Sequence, residues 1–99
     1  MSVYLIIEIK VKDNELYSKY VEKVPEVIES YGGRYLIRGG EVTSFSGNWY
    51  PERIILIEFE TIEQLQNCFQ SDEYLKLSSL RKQSTISKAI IVEGYVPPE

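Results

Sequence analysis

Two hydrophobic periods alternate along this chain, and their order constrains the fold more than any other feature. From Val3 to Val11 every odd-numbered residue is apolar while the even positions are mixed, which indicates a strand packed on a core. After Asp13, apolar residues recur three and four apart as far as Tyr31, the spacing of one helix face. Further along, strand patterns occupy 34–45, 52–59 and 89–95, and helix patterns lie between Thr61 and Arg81.

This order, β-α-β-β-α-β, predicts a single α+β domain over residues 1–99 with the ferredoxin-like plan, in which an antiparallel sheet carries its helices on one face. Two right-handed crossovers lead us to expect that the first and third strands are central, parallel and adjacent. Gly39 and Gly40 predict a bend inside the second strand. Gly32 suits the left-handed end of the first helix, and Pro25 predicts a bend within that helix.

Capping residues mark the expected starts of the helices. Asp13 is the expected N-cap of the first helix. Thr61 and Gln64 have the spacing of a capping box for the second helix. Ser71 or Asp72 is expected to cap a short third helix.

The sheet face away from the helices is expected to be too apolar to meet water. If the odd residues of the third strand point at the helices, this face carries Tyr4, Ile6, Ile54, Leu56 and Leu36. A continuous apolar patch usually marks an interface, and two sheets packed face to face about a twofold axis would cover it. The sequence therefore predicts a homodimer through the open sheet face; the alternative is a monomer with a partly apolar surface.

Composition argues against several classes of function. With a net charge of -4, the chain lacks the basic balance of a nucleic-acid binder. No apolar run approaches the ~20 residues that span a bilayer, no signal-peptide pattern is present, and the single Cys68 fits a reducing compartment, so we expect a cytoplasmic protein without a membrane partner. The absence of histidine removes Ser-His-Asp and Cys-His arrangements and the commonest metal ligand; we expect no metal and no cofactor.

Four stretches together resemble one family: "YGGRYLIRGGEV", "GNWYPERIILIEF", "SDEY" followed by Arg81, and "IVEG" near the end. The resemblance is to the bacterial domain of unknown function family thirteen-thirty, within the dimeric α/β-barrel superfamily, and it extends from the first strand to Gly94. It implies the ferredoxin-like fold and a face-to-face dimer, but no activity. More distant superfamily members include cofactor-independent monooxygenases and muconolactone isomerases, several of which rely on a histidine that this chain lacks.

Arg34 and Arg38 would project from one face of a regular second strand, with Leu36 between them. Such a guanidinium pair can bind a carboxylate or a phosphate; alternatively it pairs with glutamates across the sheet or the dimer interface. The flanking glycine pairs, 32–33 and 39–40, do not form a nucleotide-binding loop, because neither precedes a helix.

Glu8 and Glu58 lie late in the two strands expected to be central and parallel, so they are candidate neighbours. Repulsion between two close carboxylates would raise the pKa of one of them and suit it to acid–base work. Alternatively, Arg38 or Lys10 neutralises them. The catalytic hypothesis is therefore Glu58 together with Arg38, under which Glu58→Gln abolishes turnover and leaves the dimer intact.

Trp49 and Arg53 flank the start of the third strand. Arg53 is a candidate to stack on Trp49 or to hold a ligand carboxylate. Trp49 is a candidate pocket wall, although it could equally plug the barrel end or pack on the partner chain. Cys68 lies on the apolar face of its helix and is interpreted as a small core residue.

Aromatic side chains complete the candidate site. Tyr17 and Tyr20 lie on the inward side of the first helix, and Tyr74 lies two turns before Arg81 on one helix face. The predicted ligand-binding residues are Arg34, Trp49, Arg53, Tyr17, Tyr20, Tyr74 and Arg81.

This set predicts a pocket between sheet and helices that binds a small anionic or aromatic molecule. Two alternatives remain: a cofactor-independent isomerase or monooxygenase-like enzyme, by analogy with the superfamily, and a structural interaction module. A glutamate with a raised pKa, open to a cleft, would favour the enzyme, whereas a glutamate paired with arginine would favour binding or structure.

Overall fold

The computed structural model describes residues 1–98; Glu99, the last residue of the expected domain, lies outside the described residues. Its elements, in chain order, are β1 (Val3–Val11), α1 (Asn14–Ser30), β2 (Arg34–Arg38), β3 (Arg53–Phe59), α2 (Ile62–Phe69), α3 (Asp72–Ser84) and β4 (Thr85–Glu93). The strands form one antiparallel sheet in the order β2-β3-β1-β4. The predicted α+β, ferredoxin-like fold is confirmed.

The central strands are β1 and β3, as expected, but they run antiparallel, so the expectation of a parallel pair is wrong. Helix α1 connects β1 to β2 as a crossover, so these two strands run parallel to each other. Strand β3 lies between them and runs in the opposite direction to both. The cross-strand partner of Glu58 is therefore Tyr4, and that of Glu8 is Ile54. The two glutamates lie at opposite ends of the strand pair rather than side by side.

Local chemistry fixes the ends of the helices as predicted. The Asp13 side chain caps α1, Thr61 closes a reciprocal capping box at the start of α2, and Ser71 caps α3. Gly32 adopts a φ of +89° just after α1, the left-handed conformation that suits glycine. Pro25 lies inside α1, which continues through it.

Two strand boundaries differ from the sequence-based expectation by more than two residues. Strand β2 ends at Arg38, and residues 39–52 form no strand, because Gly39 has a φ of +82° that takes the chain out of the extended conformation. Strand β4 begins at Thr85 rather than Ala89. Its polar first half pairs with β1 all the same, since backbone hydrogen bonds form a ladder whether or not the side chains are apolar.

The core lies between the helices and one face of the sheet. Odd-numbered residues of β1 and β3 meet the inward faces of the helices there. The buried apolar residues are Val3, Leu5, Ile9, Ile55, Ile57, Phe59, Tyr17, Tyr20, Val24, Ile28, Leu65, Cys68 and Tyr74. Cys68 is fully buried among them, which confirms its interpretation as a core residue.

The opposite side of the sheet, here called the open face, has no helix over it. Its apolar members, set by the strand register, are Tyr4, Ile6, Ile54, Leu56, Ile37, Ile86, Ile90 and Val92. Leu36 was expected on this face, but a bulge lies between Tyr35 and Ile37, and Ile37 takes the position opposite Leu56 instead. Within residues 1–98, no helix is long and apolar enough to cross a membrane.

Candidate functional site

A cleft runs between α1 and the inner face of the sheet, and we call it the arginine cleft. Its wall is mostly aliphatic and aromatic, and its charged residues are Arg38 from β2, Arg53 from β3 and Arg81 from α3. Among residues 1–98, no carboxylate lines it. The enclosed space is about 30 Å³, room for a water molecule, so a larger ligand enters only when side chains of the wall move.

Arg53 is the most unusual of the three arginines. Its guanidinium lies over the ring of Tyr17, 5.5 Å from the ring centroid, and packs so closely on Gly39 that a Cβ there would meet Nη1 at 2.6 Å. Its Nε is buried and has no hydrogen-bond partner among residues 1–98. A buried donor without a partner costs about 1–3 kcal/mol, so this group calls for a functional or structural explanation.

Arg38 lies on the helix side of the sheet. Its Nη2 donates to the backbone carbonyl of Val21 at 2.8 Å, and its guanidinium lies 5.0 Å from the centroid of the Tyr35 ring. The expectation that Arg34 and Arg38 share one face is wrong, because the one-residue bulge between them reverses the alternation of side chains.

Arg81 is held by a partly buried hydrogen-bond network, with Nε donating to the Tyr74 hydroxyl at 3.2 Å and Nη1 donating to Oγ of Ser87 at 2.9 Å. The Tyr74 and Tyr20 hydroxyls form a further bond of 3.0 Å. The structure thus brings Tyr20, Tyr74 and Arg81 together. Helix spacing predicted that Tyr74 and Arg81 share a face, but not that Tyr20 meets them.

Sheet register places Arg53 on one side of β1 and Ser87, the hydrogen-bond partner of Arg81, on the other side. Arg53, Ile9 and Ser87 are direct neighbours in a row across β3, β1 and β4. Adjacent strands lie about 4.8 Å apart, so the backbones of Arg53 and Ser87 are roughly 10 Å apart, and Arg81 is bonded to Ser87. Two guanidinium groups therefore approach the same end of the cleft from either side of Ile9.

Two tyrosines of the cleft, Tyr20 and Tyr35, have raised pKa values and stay protonated near neutral pH. Burial raises the pKa of Tyr20, and the neighbouring Tyr74 adds to the effect. Burial also raises the pKa of Tyr35 to about 12, although Arg38 opposes the change. These phenols can donate hydrogen bonds to a ligand, but they are poorly suited to act as general bases.

Glu58 lies on the open face rather than in the cleft, so its predicted pairing with Arg38 is wrong. The Tyr4 hydroxyl donates to Oε2 of Glu58 at 2.9 Å, and Nη2 of Arg34 donates to Oε1 at 2.6 Å. The hydrogen bond from Tyr4 and the ion pair with Arg34 lower the pKa of Glu58. Arg34 thus has a glutamate partner, the alternative to a bound anion.

Trp49 belongs to the open face as well. Its indole Nε1 donates to Oε1 of Glu8 at 3.2 Å, and its ring lines a shallow depression with Ile6, Ile54 and Ile90. Arg53 stacks on Tyr17, so the expected contact between Arg53 and Trp49 is absent from the described residues.

The predicted ligand-binding set therefore divides in two. Arg34 and Trp49 lie on the open face, whereas the remaining five residues surround the arginine cleft or bond to its lining. Sequence reasoning did not include Tyr35, although alternation with Arg34 already puts Tyr35 on the helix side. It assigned Arg38 to the wrong neighbour, because only the position of the bulge shows that Arg38 faces the helices. Within residues 1–98, no cluster of three or more acidic, cysteine or histidine side chains is arranged to hold a metal ion.

The fold and the cleft define a ferredoxin-like α+β protein with an uncovered sheet face and an arginine-lined pocket beneath its helices. Residues 2–95 match the sequence model of the family described as Domain of unknown function (DUF1330), and the chain belongs to that family. The resemblance seen in the sequence is therefore confirmed. No curated protein gives a significant match.

Solved structures share the fold at low sequence identity. A protein of unknown function from Rhodopseudomonas palustris superposes with a TM-score of 0.80 at 14% identity, over 97% of this chain and 84% of that one. SnoaB, a cofactor-independent oxygenase from Streptomyces nogalater, gives 0.68 at 9% identity over 99% and 98%. A dimeric ferredoxin-like protein of unknown function from Bacteroides fragilis gives 0.56 at 13% identity over 94% and 96%.

Proposed function

We propose that the protein binds a small organic anion in the arginine cleft, with the anionic group among the arginines and an apolar or aromatic body against the wall. One observation carries this proposal: Arg38, Arg53 and Arg81 line a single apolar cleft without a carboxylate, and the ion pairs found among residues 1–98 involve none of them. Arg53 and Arg81 are partly withdrawn from water, whereas Arg38 is exposed, and charges that lose water are normally paired. A ligand anion would supply the counter-charge that these arginines lack among residues 1–98.

The cleft is narrow, and its outer wall explains how a ligand enters. Arg53 also lines a groove on the outside of the molecule, together with Tyr17, Ser18, Val21 and Glu22. Its side chain therefore separates the outer groove from the inner cleft. Rotation of this long side chain would join the two spaces without any movement of the sheet.

The test is a thermal-shift screen of small carboxylates and phosphates. A ligand that binds only the folded protein raises the melting temperature as its concentration exceeds its Kd. Arg38→Gln and Arg81→Gln should reduce the shift, whereas Arg34→Gln, which removes a cation from the open face, should leave it unchanged. If no compound raises the melting temperature, or if all three variants respond like the wild type, the anion-binding proposal is wrong and a structural interaction module is favoured.

The enzymatic alternative, a cofactor-independent isomerase or monooxygenase, has the fold of SnoaB in its favour. The chemistry of the cleft favours binding over acid–base catalysis. Among the described residues its lining contains no carboxylate, Tyr20 and Tyr35 hold their protons, and Glu58 is paired with arginine on the other side of the sheet. Under the binding proposal, Glu58→Gln leaves ligand affinity unchanged.

We further propose that the protein is a homodimer in which a second copy covers the open face. Large apolar side chains are exposed there, with Ile37 at 42% and Ile90 at 60% of their surface accessible, and contiguous exposed patches of this kind mark interfaces. The dimeric state of the ferredoxin-like protein from Bacteroides fragilis is consistent with this arrangement.

A further inference from the structure

We propose that Arg53 is the residue that selects the ligand of the arginine cleft, and that the class it selects is a carboxylate carried on a compact aromatic body. This inference rests on the anion-binding function proposed above. It goes further by proposing that one arginine recognises the anionic group and by naming the chemical class of the ligand.

The three arginines differ in which donors they have free. Arg81 already uses Nε and Nη1 in bonds to Tyr74 and Ser87, and Arg38 uses Nη2 in a bond to a backbone carbonyl. Arg53 keeps a buried Nε without a partner among residues 1–98. A carboxylate binds a guanidinium best through two parallel hydrogen bonds, and the edge formed by Nε and one Nη offers that fork. Arg38 also leaves its Nε free, but on an exposed side chain that water reaches. Among the described residues of the cleft, Arg53 is the arginine with a buried Nε available for the fork.

Register places a second cation where the same carboxylate reaches it. Arg53 and Ser87 flank Ile9 in one row of the sheet, and Arg81 is anchored on Ser87. An anion on the inner side of Arg53 is therefore approached by Arg81 from across Ile9. Arg81 is a positioning partner that adds charge, whereas Arg53 supplies the planar, two-point contact that distinguishes a carboxylate.

The wall beside Arg53 favours an aromatic body. The rings of Tyr17 and Tyr20 stack with their centroids 6.1 Å apart, and Phe69 meets Tyr74 edge-on at 4.7 Å. Aromatic rings attract a further ring in stacked or edge-on geometry. When the Arg53 guanidinium leaves the face of Tyr17 to bind a carboxylate, that face becomes available to the ring of the ligand.

No carboxylate among the described residues forms an ion pair with Arg53. Glu22 lines the outer groove beside Arg53, yet no ion pair forms between them in the described residues. Gly39 lets the guanidinium pack against the backbone, where it meets no carboxylate. The guanidinium also lies over the Tyr17 ring, a contact that holds the side chain without using its hydrogen-bond donors.

The test uses benzoate as the probe, with cyclohexanecarboxylate, benzyl alcohol and inorganic phosphate as comparisons, in calorimetric titrations of the whole protein. Arg53→Lys keeps the charge and removes the fork. It should weaken benzoate binding about tenfold or more, the scale of a lost charge-assisted hydrogen bond. Arg38→Lys should change it less, and Arg34→Lys, on the open face, should leave it unchanged. Cyclohexanecarboxylate should bind more weakly than benzoate, and benzyl alcohol and phosphate more weakly still.

The outcomes separate the two proposals. Suppose that benzoate binds the wild type, that substitutions of Arg38 and Arg81 abolish this binding, and that Arg53→Lys binds benzoate as tightly as the wild type. The cleft then binds anions, but Arg53 does not select them. If phosphate or cyclohexanecarboxylate binds as tightly as benzoate, the assigned ligand class is wrong. If no probe binds, or no arginine variant matters, the anion-binding function itself is contradicted. Circular dichroism confirms that each variant is folded, and Arg53→Gln replaces Arg53→Lys if the lysine variant does not fold.

Discussion

Tyr4 and Glu58 are direct partners across the two central strands, and the Tyr4 hydroxyl donates to Oε2 of the Glu58 carboxylate at 2.9 Å. Arg34, on the neighbouring edge strand, donates to the other oxygen at 2.6 Å. The hydrogen bond raises the pKa of Tyr4 and lowers that of Glu58. Three strands are thus tied together on the open face by one ionised carboxylate.

This arrangement predicts how stability depends on pH. Because the pKa of folded Glu58 lies below the ordinary value of 4.5, the unfolded chain takes up a proton first as the pH falls. The stability contributed by the cluster is therefore present above about pH 4.5 and is lost as the pH falls through the folded pKa. Urea unfolding should show that Glu58→Gln is less stable than the wild type at neutral pH and that this difference shrinks below about pH 4.

Glu26→Gln, an exposed position on α1, serves as the control and should differ little from the wild type at either pH. A difference between wild type and Glu58→Gln that stays constant from neutral to acid pH would show that the carboxylate contributes nothing through its ionisation.

Structural features that leave a periodic pattern in the sequence were predicted, and features without such a pattern were missed. The element order and the buried face of β3 follow from the alternation of residues such as Ile55 and Ile57 with their neighbours, and both were predicted. The direction of β3 relative to β1 was not, because it depends on how β3 inserts between the strands joined by α1. The face of Arg38 was missed because a single bulged residue leaves no periodic signal and yet reverses every side chain beyond it.

The candidate site follows the same rule. Tyr17, Tyr20, Tyr74 and Arg81 were placed correctly because helix spacing predicts which residues share a face. One of the two alternatives for Arg53, stacking on Trp49, is not found among the described residues, since it depends on the irregular chain between 39 and 52, whose path no local pattern specifies.

Gly33 allows β2 and its flanking turn to approach the core, and this predicts a sharp difference between two glycines. A Cβ at Gly33 would lie 2.5 Å from Cγ2 of Ile28 and 2.8 Å from Cζ of Phe59, both of which are buried. Gly33→Ala should therefore lower the free energy of unfolding by about 1–3 kcal/mol through overpacking. Gly40 faces open space, so Gly40→Ala should leave stability unchanged or raise it by up to about 1 kcal/mol. Urea titrations of both variants check the pair, and equal losses would contradict the packing account.

The Tyr20–Tyr74 hydrogen bond predicts energetic coupling between α1 and α3. Tyr74→Phe removes the partner of the buried Tyr20 hydroxyl and of Nε in Arg81, so it should destabilise the protein by about 1–3 kcal/mol. Tyr20→Phe should lower the free energy of unfolding less in the Tyr74→Phe variant than in the wild type. The difference, measured in a double-mutant cycle, should be a coupling energy of about 0.5 kcal/mol or more. Tyr50→Phe, at a residue 77% exposed, is the control with no expected effect; additive losses at 20 and 74 would show that the bond contributes no net coupling.

The open face predicts the oligomeric state and the mutation that changes it. Ile90 lies on this face opposite Ile6, so in the proposed dimer its side chain is withdrawn from water. Ile90→Glu would place an unpaired charge in the interface, which is strongly unfavourable, and the variant should sediment as a folded monomer at micromolar concentrations where the wild type sediments as a dimer. Leu75→Glu makes the same change at an equally apolar position on α3, 53% exposed on the helical layer, and should remain dimeric. A monomeric wild type would refute the proposed dimer, and a dimer that survives Ile90→Glu but not Leu75→Glu would move the interface from the sheet to the helices.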